Sequence, residues 1–152
     1  MLGRIYRKIK TTVFKLLNGK VFGEADLYEV PRVYFMDRVK LGKRVHINDS
    51  VFLHAAGGIT IGDDCVLSHG VSLISTGLKT ADWANRDRCA DIHVDKPIVV
   101  GENVWLGANV TVCAGVTIAP NCIVAAGAVV TKDLQEENCL YGGIPAVKIK
   151  SL

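Results

Sequence analysis

The 152-residue chain lacks a disulfide framework: its five cysteines are odd in number and include no Cys-x-x-Cys pair, which argues for a reducing compartment over a cross-linked secreted scaffold. It also lacks any apolar run long enough to cross a bilayer, and lysines break up its first apolar segment in a way that does not suit a secretory leader. Strong net charge is missing too. A formal balance of +3 does not call for a nucleic-acid partner. These exclusions leave a cytoplasmic protein whose 49% of hydrophobic residues are enough to bury one core without disulfides or metals.

What is present is a beat. An aliphatic residue returns at Leu41, Ile47, Leu53, then Ile61, Leu67, Leu73, and after a break at Val100, Leu106, Val112, Ile118, Val124 and Val130. A helix repeats near 3.6 residues and a strand alternates by two, so a period of six fits neither. Short β segments joined by tight corners, three to a coil, place these side chains inside a prism and stack like on like. Small or modest residues four places on, at Val104, Val110, Val116, Cys122 and Ala128, strengthen the pattern. Cys65 and Cys122 fall at this inward position and Cys113 directly follows a beat, so packing is expected of all three.

The amino terminus differs in character. Residues 1–20 hold Arg4, Arg7, Lys8, Lys10, Lys15 and Lys20 with no acid, while Ile5, Ile9, Val13, Leu16 and Leu17 can share one helical face. Two readings stand: residues 1–22 cap the open end of the solenoid that fills 23–150, or they form an interfacial helix on an anionic membrane.

The beat stumbles twice. Between Leu53 and Ile61 the step is eight, through His54-Ala55-Ala56-Gly57-Gly58, and between Leu73 and Val100 it is twenty-seven. Long loops within compact repeats are more often functional than idle, which makes residues 76–96 the best candidate for substrate contact. His54 stands where other beats are followed by small residues, a local violation that points to a role. Cys89, Asp91 and His93 lie close in sequence, but their spacing matches no ligand pattern for zinc well.

Val100-Gly-Glu-Asn-Val-Trp-Leu-Gly-Ala-Asn-Val, Gly115-Val-Thr-Ile, Ala126-Gly-Ala-Val-Val-Thr-Lys-Asp and Gly143-Ile-Pro-Ala follow one another in order. This run resembles the hexapeptide-repeat acyltransferases, in particular the maltose, galactoside and polysaccharide O-acetyltransferase branch. The resemblance implies an all-β fold: a left-handed parallel β-helix with three strands per coil, a short amino-terminal helix and one long excursion loop. It further implies a homotrimer with active sites between subunits, acetyl-CoA as donor without a metal, and a histidine base. Many relatives carry that base just after the Thr-Gly that opens the loop, where this chain has Leu78. His93 and His54 are the catalytic candidates and stay open as alternatives, His54 because its stretch is similar to His-Gly-Thr-Gly-Ile of serine acetyltransferases. The acid those enzymes carry before their repeat maps near Arg44.

For orientation and substrate binding the candidates are Asp49, His69, Trp83, Asp91 and Asp95, with Asp49 a possible carboxylate partner for His54. The resemblance matches the pantetheine arm to Gly107, Ala108, Ala126 and Gly127, and the adenosine end to Thr131, Lys132, Lys148 and Lys150. Trp105 is expected at a groove wall. The expected reaction is acetyl transfer to a sugar hydroxyl of a surface-polysaccharide precursor, free or lipid-linked. Alternatives are N-acetylation of an amino sugar, a serine-acetyltransferase-like reaction, or a noncatalytic or carbonic-anhydrase-like β-helix; His54, His69 and His93 make no convincing zinc set for the last.

Overall fold

Every sixth-residue side chain that the sequence marks as inward is inward for a geometric reason: the chain turns through about 120° after each short strand, so only one side of each strand meets the axis. In the computed structural model, which describes residues 2–81, 83–87 and 92–152, three parallel sheets form the faces of a prism. The first face stacks Asp26–Leu27, His46–Ile47, Val66–Leu67, Trp105–Leu106, Ile123–Val124 and Cys139–Gly142. Val147–Ser151 then folds back antiparallel on the last of these. The second stacks Arg32–Tyr34, Phe52–His54, Ser72–Ile74, Thr111–Val112 and Val129–Val130. The third stacks Val39–Leu41, Ile59–Ile61, Ile98–Val100 and Thr117–Ile118, with Leu134 bridging to Ile118.

Leu53, Leu67, Leu73, Leu106, Val112, Ile118, Val124 and Val130 are fully buried, each contributing about 1.5–3 kcal/mol by leaving water. The residues four places on close the corners from inside and are buried as well. Cys65 and Cys122 belong to this set, and burial pushes the Cys65 thiol up to about 11. Cys113 packs against the core as well, but from its outer side. It follows the beat rather than preceding a corner, so it faces outward and is only partly buried.

Many corners place one residue in the left-handed region, which a chain of L-residues meets most cheaply with Asn, Asp or Gly. Asp64, Asn103, Asn121 and Asn138 serve the corner between third and first faces, with Arg44 at the same level of the first turn. Arg44 bonds both oxygens of Asp64 at 2.6 Å; the position aligned with an acid in serine acetyltransferases is thus an ordinary surface ion pair.

The solenoid starts one coil earlier than the beat suggests. Leu27 and Val33 point inward below Ile47 and Leu53, hidden in the sequence because the next step, Val33 to Leu41, is again eight. Phe35, with φ of 58°, and a 3₁₀ turn at Met36–Arg38 take up the extra residues.

The amino-terminal helix Leu2–Leu17 leads into a short second helix, Gly19–Phe22. Phe22 is fully buried and plugs the open end, with Phe14 edge-on against it at 5.1 Å. The five apolar residues expected to share a face do share one, but it is turned away from the core. The helix docks instead through Thr11, Phe14, Arg7 over the Tyr28 ring, Lys10 to Glu29 at 2.8 Å and Lys15 donating to the Ala25 carbonyl at 2.7 Å.

Candidate active site

The two stumbles of the beat are one piece of construction. Ala55 to Gly58 and residues 75–96 leave the prism at the same corner, between second and third faces, with Phe35 to Arg38 stacked below them and Arg38 donating to the Ala56 carbonyl. Ser75, fully buried, ties the neck of the long loop. Its amide and hydroxyl both donate to the His54 carbonyl at 2.9 Å, its Oγ accepts from the Gly57 amide at 2.9 Å, and its carbonyl accepts from the Lys96 amide at 3.0 Å. A Cβ on Gly57 would lie 2.5 Å from the Lys96 nitrogen, so only glycine lets the neck pass this close.

Above the neck, Thr76–Leu78 and His93–Asp95 form an antiparallel pair with Leu78 opposite His93 and Thr76 opposite Asp95. Directly opposed residues in such a pair project from the same face. His93 therefore stands across from the position where the resemblance places a histidine. At the foot of this hairpin lies a cleft of about 300 Å³ lined by Ile74, Thr76, Gly77, Val94, Lys96, Thr111, Cys113 and Ala114. The Lys96 stem rests on Gly115.

The other histidines occupy different ground. His54 is wedged among Tyr34, Phe35 and Phe52, with ring centroids 5.5, 5.5 and 6.1 Å away, and its Nδ1 is buried with no hydrogen-bond partner among the described residues. Asp49 does not reach it. That carboxylate accepts from or pairs with His69 Nδ1 at 2.8 Å, at the corner between first and second faces, and Asp26 pairs with His46 Nδ1 at 3.0 Å on the first face. The expected Asp49–His54 pairing fails because adjacent coils align equivalent corners, and the residue above Asp49 is His69. Among the described residues no three His, Cys, Asp or Glu side chains gather to hold a metal ion. Trp83 is half exposed with Arg86 stacked 4.2 Å above its ring. Cys89 and Asp91 lie outside the described residues.

The donor candidates fall on two corners and the terminal strand. Asp49, His69 and Ala108 lie one above another, joined by the amides of Gly70, Asn109 and Gly127 donating to their carbonyls; Ala126 is the next residue up. Gly107 and Gly127 are small for different reasons. A Cβ on Gly107 would strike the Ala126 nitrogen at 2.7 Å, whereas one on Gly127, at φ of 72°, would meet nothing within 4 Å. Gly107 thus serves inter-coil packing, and Gly127 leaves open space. Thr131 and Lys132 follow Val130 at the loop corner, above Cys113 and Ala114. Lys148 is bound to Glu136 at 2.6 Å, while Lys150 lies exposed opposite Leu140. Trp105, half exposed on the first face, donates to Ser68 Oγ at 2.9 Å beside His69.

Two family models match this coil. Residues 37–75 match the hexapeptide repeat of succinyl-transferase and residues 97–132 the bacterial transferase hexapeptide (six repeats), so the matches stop and resume at the two ends of the neck. Both stretches are thus similar to hexapeptide-repeat transferases. Galactoside O-acetyltransferase of Escherichia coli is 30% identical over 124 residues, 80% of this chain and 59% of that protein; the chain spans little over half the length of this curated relative. The maltose O-acetyltransferase structure from Clostridium difficile superposes with a TM-score of 0.82 at 25% identity, covering 98% of this chain and 86% of that one. A hexapeptide-repeat acetyltransferase from Vibrio cholerae, complexed with acetyl coenzyme A, gives 0.76 at 28% identity over 91% and 75%. The coil matches the left-handed β-helix of such acetyltransferases.

Residue-by-residue reading of the sequence missed Ile74, Val94 and Thr111, which wall the cleft. For Ile74 and Thr111 the signal was present, since each lies one place from an inward residue and so had to face out, whereas Val94 belongs to the hairpin and carries no such mark. A second cleft, about 360 Å³ between the amino-terminal helix and the first face, is lined by Arg7, Lys8, Thr11, Asp26, Tyr28, His46 and Asn48 among others. It was illegible because it forms only when the helix docks.

Proposed function

We propose that the chain is an acetyl-CoA-dependent O-acetyltransferase that moves an acetyl group to a sugar hydroxyl of a surface-polysaccharide precursor, working as a cytoplasmic homotrimer. The observation that carries the reading is the hairpin: His93 opposes Leu78, restoring an imidazole to the side of the loop where the resemblance expects one. A sugar hydroxyl is a weak nucleophile near neutral pH, so its proton must leave as it attacks the thioester carbonyl. His93 takes that proton. The tetrahedral oxygen is stabilised by backbone N–H donors at the corners, and collapse expels the coenzyme A thiolate, which regains a proton.

His54 is better suited to packing than to proton transfer, because three rings enclose it. The cleft at the hairpin foot, with Thr76, Thr111 and Lys96 among apolar walls, suits an acceptor hydroxyl brought up beside a thioester. Gly127 and Ala126 line the pantetheine path, while Thr131, Lys132 and Lys150 meet the phosphates. Support for the donor comes from the Vibrio cholerae relative, which was solved with acetyl coenzyme A. Support for a sugar acceptor comes from the names of the galactoside and maltose enzymes.

The test is release of free thiol from acetyl-CoA in the presence of a panel of free, nucleotide-linked and lipid-linked sugars. Acceptor-dependent release that is lost in His93→Ala supports the reading. No release with any hydroxyl acceptor, or full activity in His93→Ala, removes it.

A further inference from the structure

The amino-terminal helix is mounted with its apolar side outward. Thr11 and Phe14 face the solenoid, with Arg7, Lys10 and Lys15 each engaged by the first coil or the turn before it. On the opposite side Ile5, Tyr6, Ile9, Val13, Leu16 and Leu17 are between 48% and 79% exposed. Residues three and four apart on a helix share a face, so these six make one continuous stripe along Leu2–Leu17. The core has no use for it, since Phe22 already closes the open end.

Charge says what covers the stripe. Residues 1–20 hold six cations and no acid. Lys10 is paired with Glu29, but Arg4, Lys8 and Lys20 stand exposed. Arg4 and Lys8 lie one turn apart on the side of the helix that bears Arg7 and Thr11, away from the stripe, so they attract an anionic surface through their field while the apolar residues enter the acyl boundary. A second copy of the chain, with six cations and no acid over the same residues, would leave them uncompensated. An anionic bilayer surface compensates them.

We infer that this helix is a membrane-surface anchor, lying in the plane of an anionic bilayer with Ile5, Ile9, Val13, Leu16 and Leu17 buried among lipid chains. No helix of the described chain is long and apolar enough to span, so the attachment is peripheral and reversible. The anchor does not depend on the catalytic reading and is measured without substrate.

The experiment is co-sedimentation of the whole chain with vesicles of phosphatidylcholine alone and of phosphatidylcholine with phosphatidylglycerol. Binding to the anionic vesicles, weakened at least tenfold in Ile9→Glu/Leu16→Glu and at least threefold in Arg4→Glu/Lys8→Glu, is the expected result, with the β spectrum unchanged because all four positions are exposed. Absence of binding to anionic vesicles overturns the inference, as does equal binding to neutral ones. Light scattering on the same proteins covers the remaining occupant: if Ile9→Glu/Leu16→Glu lowers the oligomeric state and wild type ignores vesicles, the stripe is a contact between copies and the membrane assignment falls.

Discussion

The lower three coils and the upper two obey the same rule with different strictness. From Val100 to Val130 the beat never misses, the corners are built largely from Gly, Ala and Asn, and the side chains offer little chemistry. Below Val100 each coil carries extra residues at the corner between second and third faces, and all four histidines of the chain belong to these coils or to the loop that leaves them. A repeat that must stack on both sides has room for reactive side chains only where it is allowed to bulge. Regularity builds the wall along which a long donor can lie; irregularity supplies the groups that act on it.

Exchanging histidines tests this division most sharply. His93→Ala is expected to lower turnover by about 10²- to 10⁴-fold with the thermal midpoint unchanged. His54→Ala, in the regular part of a lower coil, should retain most turnover and lose about 1–3 kcal/mol of stability by emptying the aromatic cage. Equal losses of turnover in both variants would break the assignment of roles.

Thiols give the next largest effect. The Cys65 pKa is raised by burial from 9.0 to about 11. The folded state therefore holds a proton that the unfolded state releases, so the contribution is complete below pH 9 and declines as pH rises toward 11. The expected loss is about 2–3 kcal/mol, measured by urea titration at several pH values and reduced in Cys65→Ala. At neutral pH a small alkylating reagent should modify Cys113, on the cleft, and leave native Cys65 untouched.

Within the upper coils, Gly107→Ala should cost about 1–3 kcal/mol, since its methyl meets backbone of the next coil. Gly127→Ala should cost about 1 kcal/mol for its positive φ and, unlike Gly107→Ala at matched stability, weaken coenzyme A binding. Calorimetry on both variants separates packing from contact. Smallest are the lysines: Lys132→Glu and Lys150→Glu are expected to weaken coenzyme A about three- to tenfold, and Lys148→Glu less, because Lys148 is already held by Glu136.

The coil was legible because its signal is one-dimensional. Burial in a solenoid repeats along the chain, so Leu106, Val112 and Ile118 announce themselves without knowledge of any partner. The first coil was not, since Val33 to Leu41 conceals its beat behind the turn at Met36–Arg38. Pairings across coils were harder still. That Asp49 meets His69 and not His54 depends on which corner each occupies, and that depends on counting the two extra residues between Leu53 and Ile61 into the coil that separates them. Opposition of His93 and Leu78 comes from a hairpin with fourteen residues between them, a distance over which periodicity carries no information. The outward mounting of the helix is a matter of docking: a stripe of Ile5, Ile9 and Val13 reads the same whether it faces a core or turns away from one.

The neck at Ser75 and Lys96 has an evolutionary consequence. Because the excursion is fastened by a few backbone bonds over Gly57, and the stack runs on through Ile98 as if nothing intervened, its contents are exchangeable. Segments between residues 76 and 95 can lengthen, shorten or be replaced while the spring beneath keeps its pitch, so new acceptor preferences need not be won at the expense of folding.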